Sequence, residues 1–498
     1  MSEPRAGSAF DLTPADLAHL DALGIEPSEA ERQLRLLRDP PTALRLDRAC
    51  VLGDGIRRLT ADELTAAERR AGAAIDAGRL TRFVPASGAA SRMFQALRAE
   101  PEARGRLVEA LDRFPFLESL DRSFAGTGSS LAEARDRGLH EEIVERLLGE
   151  PGLDLARSPK GLLEFHRYPD GPRTAFEEHL AEAAELASSP DGVCKLHFTV
   201  SEEHREPFEE RLSTFAAAYP KRFEVSFSAQ SPATDTLATE LDGRPFRRDD
   251  GTLLLRPGGH GALIRNLADL GGDLVLIKNI DNILPAERRE LVVLWHRRLI
   301  GWLVVLQERA FELSTALEAG DAAAVEEAAR FSAAEFGATW DGSAGDREAV
   351  MSALDRPIRV CAVVRNESEP GGGPFWAAAE GERPTRQVVE GAQVADDPEQ
   401  QEVFRSGTHF NPVHLVCGLR DHRGRSHALE RFVDPRAVFI ARKSQGDREL
   451  LALERPGLWN GAMAHWNTVF VEVPVETFGP VKTIFDLLRP AHQPATGA

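Results

Sequence analysis

Cysteine is scarce: Cys50, Cys194, Cys361 and Cys417 are the four in 498 residues. None forms a C-x-x-C pair, so neither a disulfide framework nor a zinc ribbon is supported, and a reducing compartment is expected. The chain lacks the basic footprint of nucleic-acid binders, with 60 Lys and Arg against 79 Asp and Glu and a net charge of −19. It has no run of about 18 uncharged apolar residues, which excludes a membrane helix. The first twenty residues carry no basic segment followed by an apolar one, so no signal peptide is expected and the cytoplasm is the anticipated location. No internal repeat or long low-complexity tract occurs. Lysine is rare as well: six of the 60 basic residues are Lys, so a lysine inside a motif stands out from background.

What is present is ordinary globular material, 42% hydrophobic and 28% charged. The length is about three times the ~150 residues taken as a domain prior. Residues 1–79 are expected to form an N-terminal helical segment: Thr13-Pro14 starts one helix, and Thr60 with Glu63 has capping-box spacing for another. Residues 80–345 alternate strands and helices. Leu80–Val84, Lys195–Val200, Phe223–Phe227 and Leu274–Ile277 are strands, the last a continuous apolar run suited to the middle of a two-sided sheet. The fold class is therefore α/β, with a mainly parallel sheet covered on both faces. Residues 286–338 are helical, and Trp340–Asp346 breaks the pattern as a lobe boundary. From Arg359 to the end the chain is β-rich, giving a C-terminal lobe over 346–498, with Gly371–Pro374 a loop and the tail after Pro490 frayed.

Several loops carry chemistry. Val84–Met93 places small residues between a strand and a helix starting near Arg92, where backbone N–H groups of Ser87 and Gly88 and the Arg92 side chain can meet a phosphate. A plain βα turn reads equally well. Asn279-Ile-Asp-Asn282 follows an apolar strand, and ligands of open α/β sheets sit at strand carboxyl ends. Asp281 there suits a hard cation such as Mg²⁺ or, alternatively, closes an Asx-turn. Arg256–Gly261 surrounds His260 with glycines. Lys160 lies in Ser158-Pro-Lys-Gly161. His409, His414, His422 and His427 match no zinc-ligand spacing. Helical runs such as Arg288-Arg-Glu290 are expected as solvated faces.

In order, these segments resemble the nucleotide-sugar pyrophosphorylases of the UTP–sugar-1-phosphate uridylyltransferase superfamily. Phe83–Met93 is similar to the signature loop L-x-G-G-x-G-T-R-[ML], Ser158–Leu162 to P-K-G-L, and Pro257–Gly261 with Val275–Asn282 to P-G-H-G and N-I-D-N. Arg386–Glu390 resembles the sugar-contact strand Q-V-V-E-Y, Ser406–Asn411 the G-N-x-x-x-x-F region that follows it, and Phe470–Val473 with Phe478–Lys482 resembles V-Y-E-V and F-S-P-V-K. The loop keeps only Gly88 of the usual glycines, and Ala464–Thr468, just before Phe470–Val473, has no Lys where the pyrophosphorylases tend to place one. The whole chain also resembles the bacterial DUF4301 family through Pro85–Phe94, Arg256–Leu263, Glu369–Trp376 and Leu458–Ala464; that name carries no activity.

The superfamily resemblance implies a GT-A-like, Rossmann-like nucleotidyltransferase core that joins an NTP, with UTP favoured, to a sugar-1-phosphate and releases pyrophosphate. It implies Arg92 and Lys160 as charge stabilisers, and Ser87 and Gly88 as the phosphate cradle. Gln230, Gly259, His260 and Gly261 would lie against the base, Glu390 and Asn411 on the sugar, and Mg²⁺ on Asp281. A GT-A glycosyltransferase using a nucleotide-sugar, and a non-catalytic nucleotide binder, are the alternatives.

Overall fold

A computed structural model describes residues 12–125, 128–187, 192–339, 346–367, 371–378 and 381–494. The expected boundary at 340–345 and the Glu369-Pro370 end of one motif lie outside these residues.

A mixed sheet, ten-stranded among the described residues, organises the chain. In chain order its main strands are β1 (Val51–Leu52), β2 (Gly55–Arg57), β3 (Leu80–Pro85), β4 (Val193–Thr199), β5 (Arg222–Ser228), β6 (Leu274–Lys278), β7 (Ile358–Arg365), β8 (His414–Gly418) and β9 (Asn467–Glu472). They lie side by side as β1-β2-β9-β7-β8-β6-β3-β4-β5, with His409–Phe410 paired onto β7. All neighbours are parallel except at β8, which runs against both β6 and β7. The parallel expectation therefore holds apart from two reversed strands, β8 and the short His409–Phe410.

The apolar run of β6 works as a two-sided strand should. Leu274 and Leu276 enter one core with α1 (Ala61–Asp76) and α3 (Ala286–Glu318). Val275 and Ile277 enter the core on the opposite face. Thr60 opens α1 with the capping box its spacing announced. Gly301 lets α3 press on α1: a Cβ there would stand 1.7 Å from the Ala67 carbonyl oxygen.

Three expectations need correction. Residues 1–79 are not purely helical, because β1 and β2 join the central sheet beside β9. Segments 1–79, 80–345 and 346–498 all supply strands to one sheet, where β7, β8 and β9 of the last lie between β2 and β6. Gly373–Ala378 is a strand rather than loop, pairing with both Arg45–Ala49 and Thr385–Val389. Beyond Pro490 the chain is still packed at His492, 5% exposed and stacked on His166.

Candidate functional site

Strands β3, β4 and β6 bring their carboxyl ends to one edge of the sheet, because they are parallel and in register. The loop after β3 is tied to β4 where Ala86 N donates to Thr199 O (2.9 Å). It then runs beside the Ser158–Lys160 segment: Lys160 N donates to Gly88 O and Ala90 N to Ser158 O, each at 3.2 Å. Ser87, Gly88 and Arg92 are exposed, and a Cβ on Gly88 would meet nothing within 4 Å. The expected helix from Arg92 is instead a 3₁₀ turn, Ala90–Phe94, leading into the short helix Gln95–Ala99. A dipole contribution at this loop is correspondingly small. Arg92 forms no ion pair within the described residues.

The loop's pairing with Ser158–Lys160 aims Lys160 across the edge. Its Nζ donates to Asp281 Oδ2 (2.8 Å) and to Val481 O (3.0 Å). A second lysine meets the same carboxylate, with Lys482 Nζ 3.1 Å from Oδ2 and 3.3 Å from Oδ1. Backbone bonds hold this arrangement: Val481 N donates to Asp281 O (2.9 Å), and Gly479 N donates to Asn282 Oδ1 (3.1 Å). Burial works to raise the Asp281 pKa, but Lys482 and Lys160 outweigh it and hold the carboxyl below its usual value.

Asp281 therefore arrives with its charge already answered. No group of three or more His, Cys, Asp or Glu able to hold a metal occurs among the described residues. With ammonium donors on both its oxygens, this donor set does not fit a resident Mg²⁺. Asp281 instead serves as the counter-charge that gathers two lysines.

Behind Asp281 a buried ionic cluster sets the edge. Lys278, at the end of β6, donates to both oxygens of Glu182 (2.7 and 2.8 Å), and Arg82 of β3 donates to the same carboxylate at 2.8 Å. Glu182, fully buried, comes from α2 (Ala175–Leu186). His179 of the same helix, its pKa pushed down to about 3 chiefly by burial, lies 3.2 Å from the Ile280 carbonyl oxygen through Nε2. A neutral ring protonated there donates to the loop that carries Asp281. Arg289, expected on a solvated face, is fully buried and pairs with Glu178 and Glu185.

The remaining expected residues fall into a neighbouring group. Gln230, just past β5, donates to Asp235 Oδ1 at 3.4 Å. The Gly258–Gly261 turn packs against residues 454–458: Arg455 N donates to Gly258 O (2.9 Å), and Leu458 N donates to His260 Nδ1 (3.0 Å). Its glycines are there for that contact. Gly259 has φ +75°, and a Cβ on Gly261 would stand 2.1 Å from Pro456 O. The His260 ring stacks on Trp459 at 4.2 Å, and burial lowers its pKa to about 4, so it is neutral at pH 7. One face of the ring expected against a base is thus already covered. Trp459 Nε1 donates to Glu390 Oε1 at 3.4 Å. Burial raises the Glu390 pKa while Lys482 pulls it down, which places the two within electrostatic reach. Asn411 is a correction: 3% exposed, it donates to Ala362 O (2.7 Å) and accepts from Val413 N (3.1 Å). Its amide joins backbone to backbone and is not presented to a sugar.

Lys482 and Trp459 were not singled out from the sequence, although both lie in quoted motifs. Lysine rarity was the available signal, since Lys160, Lys278 and Lys482 are half of the six in the chain.

Comparison with solved structures gives distant similarity. The uridine diphosphate N-acetylglucosamine pyrophosphorylase of Trypanosoma brucei is 15% identical, with a TM-score of 0.49, over 96% of this chain and 79% of that one. A UDP-glucose phosphorylase of Trypanosoma brucei is 14% identical, with a TM-score of 0.46, over 95% and 77%. The UDP-glucose pyrophosphorylase of Leishmania major is 13% identical, with a TM-score of 0.43, over 95% and 77%. A search of curated proteins finds no match. The family described as "Domain of unknown function (DUF4301)" matches residues 13–493, and the chain belongs to it.

Proposed function

We propose that this protein is a nucleotidyltransferase with a GT-A-like core, which transfers a nucleotidyl group from an NTP, UTP by preference, to a sugar-1-phosphate. The observation that carries the reading is the convergence of Lys160 and Lys482 on Asp281 beside the Ser87–Gly88 loop. Two ammonium groups held at a strand-end corner suit a substrate with several adjacent negative charges.

In the proposed reaction a phosphate oxygen of the sugar-1-phosphate attacks the α-phosphorus. One P–O bond forms, the bond to the β-phosphate oxygen breaks, and pyrophosphate leaves. The attacking phosphate is already anionic at neutral pH, so the chain's contribution is positioning and charge neutralisation rather than a nucleophile of its own. Lys160 and Lys482 exchange Asp281 for phosphate oxygens, Arg92 adds charge from the exposed turn, and the Ser87–Gly88 backbone lines the phosphates. Gln230 and the His260–Trp459 stack border the base, and Glu390 receives sugar hydroxyls. Mg²⁺, on this reading, comes with the nucleotide rather than residing in the chain.

Calorimetric titration of the intact chain with UTP and with UDP-glucose tests the reading. UTP is expected to bind, and Lys482→Ala to weaken it roughly ten-fold or more, the scale of one charge-assisted contact. Binding of the nucleotide-sugar with no affinity for any NTP would favour a glycosyltransferase and defeat the proposal.

A further inference from the structure

A cavity of about 440 Å³ lies far from Asp281 in the topology. Its wall includes Asn467 and Thr468, the amino end of β9, which pairs in parallel with the amino end of β7. Since β7 and β9 run in the same direction as β6, this is the sheet edge opposite the one that carries Asp281.

The cavity is cationic in an unusual way. Arg356 and Arg386 line it, and the one carboxylate lining it among the described residues is Asp346. That carboxylate is engaged as the cap of helix Arg347–Leu354, accepting from Glu348 N and Ala349 N. Among the described residues Arg356 makes no ion pair, and its side chain donates from Nε to Ser352 O at 3.3 Å. Burial lowers its pKa, with no acidic neighbour to oppose the shift. Arg386 is 8% exposed and donates from Nη2 to the Glu335 carbonyl oxygen, while its Nε has no partner. The Glu335 carboxylate is taken by Arg57. Trp466, 4% exposed, also lines the cavity, and its Nε1 donor is unpartnered. Folded proteins pair buried cations and satisfy buried donors, because leaving them alone costs free energy. Among the described residues no carboxylate pairs with Arg356, and Glu335 and Asp54 act on Arg386 without forming an ion pair with it, in a cavity of the size small ligands occupy.

We propose that this cavity is a second ligand site, separate from the Asp281 corner, that takes a small phosphate-bearing anion between Arg356 and Arg386. The guanidinium fork matches phosphate oxygens two at a time, which a lysine cannot do. Thr468 and Thr385 also line the wall. Thr468 Oγ1 accepts from the buried Arg359 Nε (2.8 Å), and Arg359 Nη1 donates to Trp459 O (2.6 Å), so one buried cation spans from the cavity wall to the His260–Trp459 stack.

The test is calorimetry and amide hydrogen exchange on the full chain with inorganic phosphate, at ionic strength matched with chloride. Phosphate binding at the cavity, read as slowed exchange at residues 352–356 and 466–468, is expected in wild type and Lys160→Ala alike. Arg356→Gln should bind about ten- to a hundred-fold more weakly, the loss expected for one charged hydrogen-bonding partner. In wild type, phosphate should slow exchange at residues 352–356 and 466–468, a readout that needs no variant to fold. Glycerol phosphate in the same titration distinguishes the source: tighter binding than inorganic phosphate marks a phosphorylated metabolite, and equal or weaker binding marks the free ion. Phosphate that leaves exchange at these segments unchanged would overturn the proposal. So would slowed exchange at these segments that Arg356→Gln retains at full strength, or that Lys160→Ala abolishes.

Discussion

Lys160→Ala is expected to lower turnover by a factor of ~10²–10³, the roughly 3–4 kcal/mol commonly lost with one donor that stabilises transition-state charge. Stability should fall far less, by about 1–2 kcal/mol, because Asp281 keeps its second ammonium partner. Lys160 is the better placed of the two lysines: its side chain is 15% exposed against 53% for Lys482, and it also bonds the Val481 carbonyl. A compact cation on a flexible stem can follow charge as it moves to the leaving pyrophosphate. Steady-state kinetics beside thermal unfolding decides the matter. A melting temperature that drops while kcat and KM stay at wild-type values would make Lys160 a structural partner of Asp281 and nothing more.

Glu182→Leu should cost the most stability of any single change considered. Glu182 is the shared counter-charge of Lys278 and Arg82, and all three side chains are at most 2% exposed. Removing it leaves two buried cations facing each other, and breaking a buried pair costs about 3–5 kcal/mol. Against a typical total of ~5–15 kcal/mol that is a large fraction. Urea unfolding should show a lower midpoint with an unchanged slope. Adding Lys278→Met to Glu182→Leu should recover part of the loss, since one unpaired buried charge goes with it. A loss below about 1 kcal/mol for Glu182→Leu alone would mean that water reaches the cluster and the burial argument fails.

The same cluster shows what the sequence could and could not tell. Apolar strands were legible because a two-sided parallel strand reads as an unbroken hydrophobic run: Leu274–Ile277 and Arg359–Val364 lie within β6 and β7. Helix starts at Thr13 and Thr60 were legible because capping is local. β1 and β2, with two and three residues, are too short for any periodicity to register. Helix α2 is buried along nearly its whole length despite Glu177, Glu178, His179 and Glu182. Pattern reading sends such charges to solvent, and the partners that admit them are distant, Lys278 being 96 residues from Glu182. Arg289 misled for the same reason.

At the candidate site, Lys160 and Asp281 each stood out by motif, but not the fact that they touch, nor that Lys482 touches both oxygens of Asp281. That meeting depends on the Val481–Asp281 backbone bond between segments 200 residues apart. Asn411 looked free because its tie to Ala362 is equally non-local. The Gly258–Gly261 turn looked open to a ligand because nothing local announces residues 454–458 lying against it.

The central claim, nucleotidyl transfer at the Lys160–Asp281–Lys482 corner, is tested most directly by product stoichiometry. The intact chain is incubated with each NTP and a panel of sugar-1-phosphates in Mg²⁺ buffer, and pyrophosphate and nucleotide-sugar are both quantified. The account predicts equal amounts of the two products, highest with UTP, and neither product when the sugar-1-phosphate is left out. No pyrophosphate from any NTP and sugar-1-phosphate pair, under conditions where the same preparation binds UTP, would contradict it.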